Sequence, residues 1–361
     1  MISRLAPHLR RALLPFFAIT GIALSSCGRD SSTPTGPSSV APDTPIAPAA
    51  ELSLALAAQT RHTDQLLALP GVVGTAVGLD DRGHAQVKLF TVATSVRGVP
   101  ATLDGVPVSA VVTGTIRALP ATVGTRSGVA ALAVNRTAKF ARPVPIGVST
   151  GNQGECLAGT IGARVKASGK TYALSNNHVY ALENAAAIGS NVLQPGRVDI
   201  NCALGSADVI GKLSKFIKIV FSTTASNRVD GAIAAVSTTN LRRSTPSDGY
   251  GTPTTQTVAA SLNQKVEKYG RTTGLTTGKV VALNATVNVD YGNNRVARFV
   301  GQIVIQGSSG KFSGAGDSGS LIVDANRHPV GLLFAGAKDG TTFANPIGAV
   351  LNALGVTVDG T

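Results

Sequence analysis

The sequence predicts an all-β protein preceded by a small mixed module and an export segment, on three observations. Glycine is abundant, at 41 of 361 residues, and tryptophan is absent. Short runs rich in Val, Ile, Ala and Thr recur between turn residues, at 157–165, 279–289, 296–305 and 321–323, which is the pattern of strands joined by tight turns. Hydrophobic residues make up 43% of the chain, ample for real cores in about two folded units.

The elements follow in chain order. Arg4, Arg10 and Arg11 precede an apolar run over 12–24, too short for an ordinary membrane span but right for a signal-peptide core, so 1–26 is read as a signal peptide. Leu24-Ser25-Ser26-Cys27 resembles the bacterial lipoprotein cleavage box. That resemblance implies that Cys27 becomes the lipid-bearing first residue and anchors an exported protein to a membrane of the bacterial cell envelope. Residues 27–50 carry prolines at 34, 37, 42, 45 and 48 among Ser, Thr and Gly. Such a segment buries too little apolar surface to fold and reads as a disordered tether, reaching up to roughly 70 Å at about 3 Å per residue.

Residues 51–118 change rhythm. An Ala/Leu-rich stretch at 51–69 predicts a helix; 72–79 and 85–92, around the turn Asp80-Asp81-Arg82-Gly83, and 106–112 predict strands, together a small α+β module. From Ala118 through Pro120, Gly124 and Ser127 to Gly128, small and turn residues predict an exposed connector. Residues 125–361 are the all-β part, closed by a short amphipathic helix at 346–354.

Charge points to less than its size suggests. Losing 1–26 removes three arginines and no acids, taking the formal charge from +13 to +10. The remaining basic residues are scattered, with only short clusters such as Lys212, Lys215 and Lys218 and few aromatics beside them. A nucleic-acid site wants a concentrated stripe or a recognisable module, so a solvated basic surface is the better reading and no nucleic-acid partner is expected.

Chemistry concentrates in Gly316-Asp317-Ser318-Gly319-Ser320, 140 residues after Asn176-Asn177-His178-Val179. A serine hydroxyl becomes a nucleophile only when a base takes its proton and fixed donors stabilise the oxyanion. Gly316 can turn sharply enough to aim its N–H, with that of Ser318, at one oxygen, and Gly319 leaves room for a substrate backbone. Gly, Asp and Ser are also the commonest turn residues, so the motif alone could be a surface turn. Order adds weight: a histidine, an acid and then the serine is the arrangement of one convergent hydrolase type, whereas nucleophile-elbow enzymes run Ser, acid, His and need glycine where Ser320 stands.

Among the histidines, His8 falls in the signal segment, His62 and His84 in the module and His328 in a polar turn. Only His178 follows a predicted strand, 171–174, and opens a short helical run, 179–182. Two acids compete for the third place. Asp230 leads into a run that stays apolar, whereas Asp208 leads into Gly211 and Lys212; Asp230 is therefore favoured as the buried partner of the imidazole. No cofactor or metal is expected, because Cys156 and Cys202 lack cysteine or histidine partners at zinc-site spacing. In an oxidising compartment these two, one on each side of His178 in sequence, are expected to form a disulfide around the base.

At these residues the chain resembles the chymotrypsin-like serine proteases, over roughly 125–361. Leu174-Ser175-Asn176-Asn177-His178-Val179 is similar to the histidine segment of the bacterial high-temperature-requirement proteases. Lys268-Tyr269-Gly270-Arg271-Thr272-Thr273-Gly274 is similar to the start of the second barrel in the streptogrisin and alpha-lytic group, although Val179 and Thr277 stand where that group usually carries cysteines. The resemblance implies two packed β-barrels with a terminal helix and a triad of His178, Asp230 and Ser318. It implies an oxyanion hole from Gly316 and Ser318, and a pocket walled by Phe312, Ser313, Phe334, Ala335 and Gly336. With no acid at those pocket positions, apolar or small side chains are expected before the scissile bond of a polypeptide substrate. In the second group amino-terminal pro-regions assist folding and inhibit the enzyme, so the 51–118 module is read as either such a region or a spacer. A catalytically silent binding module and an ester hydrolase of the envelope are the alternatives to a serine endopeptidase.

Overall fold

The structure, a computed structural model, describes residues 48–124, 134–203 and 208–361. The signal segment 1–26, Cys27, the tether up to residue 47, and Ser127 and Gly128 of the connector lie outside the described residues.

The amino-terminal module holds helix α1 (Ala49–Leu67) and strands β1 (Val72–Leu79), β2 (Ala85–Thr91), β3 (Thr102–Leu103) and β4 (Val106–Val112), followed by the short β5 (Arg117–Ala118). Next come β6 (Ser149–Asn152), β7 (Gly159–Thr160), β8 (Ala163–Ala167), β9 (Lys170–Ser175), the one-turn helix α2 (Asn177–Tyr180), β10 (Asn191–Leu193), β11 (Val209–Phe216) and β12 (Ala232–Val236). The last set is β13 (Lys265–Gly270), β14 (Gly274–Asp290), β15 (Val296–Gly307), β16 (Leu321–Asp324), β17 (Pro329–Gly336), β18 (Thr342–Pro346), helix α3 (Ile347–Leu354) and β19 (Thr357–Val358).

The strands make two curled sheets. The first runs β19-β8-β9-β12-β11-β10-β6-β7. Because only Ile161 and Gly162 separate β7, at one end of this order, from β8, next to its other end, the sheet must curl back on itself. The run expected as one strand over 157–165 is thereby split: Gly162 lies so close beneath the Gly319 carbonyl that a Cβ there would overlap it. The second sheet closes fully, since β13-β16-β17-β18-β15-β14 returns to β13 through a β13–β14 pairing. Apolar side chains fill each interior, with Val165, Leu174 and Ile233 in the first and Val280, Ile305 and Leu333 in the second. Helix α3 leaves the second barrel and buries Ile347, Val350 and Leu354 in the core of the first, and β19 then pairs with β8. The architecture is all-β, two barrels with a C-terminal helix, preceded by an α+β module.

The module is not detached. β1 pairs antiparallel with the middle of the 17-residue β14, whose bulges bend it so that its first half serves the barrel and its second half the module. Gly78 permits the contact, because a Cβ there would stand 2.7 Å from the Val281 carbonyl. Buried Gln59 of α1 donates to Thr75 Oγ1 (3.0 Å) and to the Asn284 carbonyl (2.9 Å), tying helix to barrel.

Candidate active site

Strands β9 and β12 are hydrogen-bonded neighbours with Ala232 opposite Ser175, so residues just beyond the end of one and just before the start of the other must meet. Those residues are His178, on α2, and Asp230. The imidazole Nδ1 lies 2.6 Å from Asp230 Oδ2, with the two residues 2% and 0% exposed. Asp230 is held from every side: Oδ1 accepts the His178 backbone N–H (3.2 Å), Oδ2 accepts the Tyr291 hydroxyl (2.8 Å), its N–H donates to Asn345 Oδ1 (3.0 Å), and its carbonyl accepts from Asn176 Nδ2 (2.7 Å). Burial, and after it the charge of Asp230, push the Tyr291 phenol well above its ordinary pKa, so it remains a donor. Asp208, the competing acid, pairs instead with Lys139 at 2.6 Å.

Ser318 lies in the loop between β15 and β16, fully buried. That loop is folded around the neighbouring carboxylate. Asp317 accepts the N–H groups of Thr272 (2.8 Å), Thr273 (3.2 Å) and Gly314 (2.9 Å) and the Thr273 hydroxyl (2.6 Å), with the buried Lys268 ammonium 3.5 Å away. Burial lowers the Lys268 pKa, and the charge of Asp317 opposes that shift. Gly316 and Gly319 adopt φ of +100° and +92°, the left-handed region glycine tolerates. The Ser318 carbonyl accepts from Thr160 N–H (2.8 Å), which sets the serine against the first barrel. The hydroxyl donates to the Phe334 carbonyl at 3.5 Å rather than to the imidazole, and the buried His178 Nε2 has no hydrogen-bond partner among the described residues.

The remaining predicted residues surround this point. Phe312 is buried in the second-barrel core beside Leu333, and Ser313 shares a 2.7 Å hydrogen bond with Thr342. Phe334 turns its ring inward onto Phe299, 4.7 Å between centroids, and offers the site its carbonyl. Ala335 and Gly336 pair antiparallel with Ala118 and Arg117 of β5, and Gly316 N–H donates to the Leu119 carbonyl at 2.6 Å. The stretch from Ala118, expected as an exposed connector, therefore enters the site: Leu119 and Pro120 are half-buried and Ala121 is buried. The expectation fails over 118–121, which are held by backbone pairing to distant segments, whereas 122–124 are exposed as expected. Cys156 and Cys202 are joined by a disulfide, with their Cα atoms 5.1 Å apart.

Tyr291 and Asn345 escaped the sequence reading. Tyr291 sits beside the turn residues Gly292, Asn293 and Asn294 at the end of a long strand, and its rarity, as one of five tyrosines, is the only local signal.

The chain is similar to several known proteins. The family described as the Nal1 C-terminal domain matches residues 253–359. Streptogrisin-A of Streptomyces griseus is 35% identical over 99 residues, 27% of this chain, and the chain spans about a third (32%) of that relative's length. Among solved structures, a serine protease described as glutamic acid specific and as using a histidine triad in substrate binding aligns with a TM-score of 0.43 and 21% identity, over 60% of this chain and all of that one. Protease A of Thermobifida fusca aligns with a TM-score of 0.41 and 18% identity, over 56% and 92%. The Nocardiopsis protease aligns with a TM-score of 0.43 and 18% identity, over 60% and 99%.

Proposed function

We propose that the protein is a serine endopeptidase that works through an acyl-enzyme on Ser318. The observation that carries this reading is the buried His178–Asp230 pair, 2.6 Å between Nδ1 and Oδ2, set beside a serine loop with two left-handed glycines. With Asp230 holding Nδ1–H, the free Nε2 is the tautomer that can take a proton. Rotation of the Ser318 hydroxyl away from the Phe334 carbonyl brings it to that base. Oγ then attacks the substrate carbonyl carbon, the displaced proton passes through His178 to the leaving amine, and water hydrolyses the ester by the same route. The N–H groups of Gly316 and Ser318 stabilise the oxyanion in each step. Export and anchoring through Cys27 complete the reading, and the disulfide supports an oxidising compartment.

The resting geometry favours one second reading, a catalytically silent protease fold used for binding, because Ser318 and His178 are not hydrogen-bonded. A fluorophosphonate separates the two. Covalent labelling of the wild-type chain that disappears in Ser318→Ala, with turnover falling by several orders of magnitude, is expected for the peptidase. No labelling under any condition favours the silent fold. Peptide against ester turnover then separates a peptidase from an ester hydrolase, and metabolic incorporation of a labelled fatty acid that is lost in Cys27→Ala tests the anchor.

A further inference from the structure

In a trans peptide the C=O and the following N–H point in opposite directions, so fixing one aims the other. The two N–H groups beside Ser318 are aimed in different ways. The Asp317 carbonyl accepts the Ser320 N–H at 2.9 Å, a bond within the loop, and turns the Ser318 N–H the other way. The Ala315 carbonyl, which shares its plane with the Gly316 N–H, is held from outside the loop, where it accepts the Thr272 hydroxyl at 2.6 Å. The Gly316 N–H accordingly points outward, and the Leu119 carbonyl meets it at 2.6 Å.

Thr272 is itself set by its neighbours. A threonine hydroxyl has one proton to give and lone pairs to receive another. Arg271 Nη1 donates to this one at 3.0 Å, which leaves its proton for the Ala315 carbonyl. The guanidinium is fixed in turn by a first-barrel carboxylate, Asp199, on the 3₁₀ turn Arg197–Ile200. Arg271 Nε lies 2.9 Å from Asp199 Oδ2 and Nη2 bonds Oδ1, with the two side chains 1% and 6% exposed. Ser149 Oγ donates to the same Oδ2 at 2.5 Å. Thr160 of β7 holds the next residue: its hydroxyl accepts the Arg271 N–H (3.0 Å) and donates to the Gly316 carbonyl (2.8 Å). The packing leaves no slack, since a Cβ on Gly316 would stand 2.4 Å from Thr272 Oγ1 and 2.9 Å from Arg271 Nη1.

We infer that Thr272 is the positioning residue of the oxyanion site, aiming the Gly316 N–H through the Ala315 carbonyl, and that the buried Arg271–Asp199 pair makes this aim depend on the first barrel. The catalytic consequence rests on the peptidase reading; the placement of the peptide plane does not. Glycine's freedom is what makes such a strut necessary. Gly316, at φ of +100°, has no side chain to stop the 315–316 plane from turning over, and a flipped plane presents a carbonyl oxygen to the developing negative charge instead of a donor. The hydroxyl opposes the flip because, once the carbonyl turns away, the buried Thr272 donor has lost its acceptor.

The test compares Thr272→Val with Thr272→Ser in the whole chain. Valine keeps the shape and the backbone N–H to Asp317 but has no hydroxyl; serine keeps the hydroxyl. With a chromogenic peptide anilide carrying leucine before the anilide, Thr272→Val should lower kcat roughly ten- to a hundredfold with KM nearly unchanged, short of the loss from deleting an oxyanion donor outright. Thr272→Ser should recover kcat to within about threefold. Asp199→Asn combined with Arg271→Met, which removes both buried charges rather than stranding one, should lower kcat about three- to tenfold. A crystal structure of Thr272→Val reads the 315–316 plane directly, whether or not the chain turns over, and should show it flipped in part or all of the molecules. An unflipped plane overturns the positioning role, as does a loss that falls on KM or equally on the valine and serine variants. An unchanged kcat in the Asp199, Arg271 double variant removes the first barrel from the relay. A flipped plane in Thr272→Val, with a wild-type chain that neither cleaves the anilide nor takes up a fluorophosphonate, sinks the peptidase reading and leaves the positioning of the plane standing.

Discussion

Asp230 is a carboxylate with no access to water, and its charge is tolerable because three donors, the Nδ1–H and N–H of His178 and the Tyr291 hydroxyl, converge on its two oxygens. Removing that charge while keeping the shape leaves Nδ1 facing an amide that can present N–H instead of oxygen, which stabilises the wrong imidazole tautomer. Asp230→Asn should therefore lower kcat by about three to four orders of magnitude. Asp208→Asn should lower it little, since that largely buried carboxylate pairs with Lys139 rather than with the imidazole. Equal losses in the two variants would reverse the assignment. Tyr291 is a positioning residue: Tyr291→Phe should lower kcat with KM nearly unchanged, whereas a merely structural tyrosine would show itself in the thermal midpoint alone. The acid was legible because a polar residue leading into the unbroken apolar run at 232–236 has to be buried and therefore paired. Its other partners were not, because Tyr291 and Asn345 reach it from positions 61 and 115 residues away.

At the level of elements, the serine loop is shaped by a buried ion pair rather than by regular hydrogen bonding. Lys268 on β13 and Asp317 beside Ser318 are both fully buried, and the carboxylate gathers three backbone N–H groups. Lys268→Met strands that charge, and should cost about 3–5 kcal/mol in denaturant unfolding while slowing Ser318 labelling. Adding Asp317→Asn should recover part of the stability but not the labelling, because the loop loses its organising acceptor; additive losses in the double variant would show that the pair is not coupled. The disulfide joins cysteines 46 positions apart and so closes the stretch that carries His178. Chain entropy gives it about 4 kcal/mol, so Cys156→Ser with Cys202→Ser should lower the unfolding free energy by an amount of that order, and an unchanged midpoint would sink the estimate. Individual strands were readable from apolar runs between turn residues, apart from 157–165, which is split at Ile161 and Gly162. The pairing of β1 with β14 was not: both sequences read as ordinary strands, and nothing local marks which edge will accept the other across about 200 residues.

On the scale of the whole molecule, two barrel interiors are completed by a helix and strand that cross from one to the other, and several tyrosines are enclosed in the result. Tyr180, Tyr250, Tyr269 and Tyr291 are all buried, and burial is the leading cause that raises each phenol above its ordinary value of 10.0; the charges of Glu267, Asp248 and Asp230 add to it for Tyr250, Tyr269 and Tyr291. The sign of the linkage follows. A group whose folded pKa is raised contributes stability that is fully present below its unfolded pKa and is lost as pH climbs from there toward the folded value. Below pH 10 all four phenols are neutral in both states and stability is flat on their account; above it the unfolded chain ionises while the folded chain does not. Each tyrosine then removes about 1.4 kcal/mol per pH unit, so the four together remove roughly 5.5. We expect the denaturant midpoint to fall steeply between about pH 10 and 11. Because the chain has no tryptophan, tyrosinate absorbance can be followed without interference. It should rise in two stages, the half-buried Tyr172 first and the buried four together with loss of the β-sheet circular dichroism signal. Reversible ionisation of all five tyrosines near pH 10, with the fold intact, would show that these interiors open to water far more readily than their packing implies.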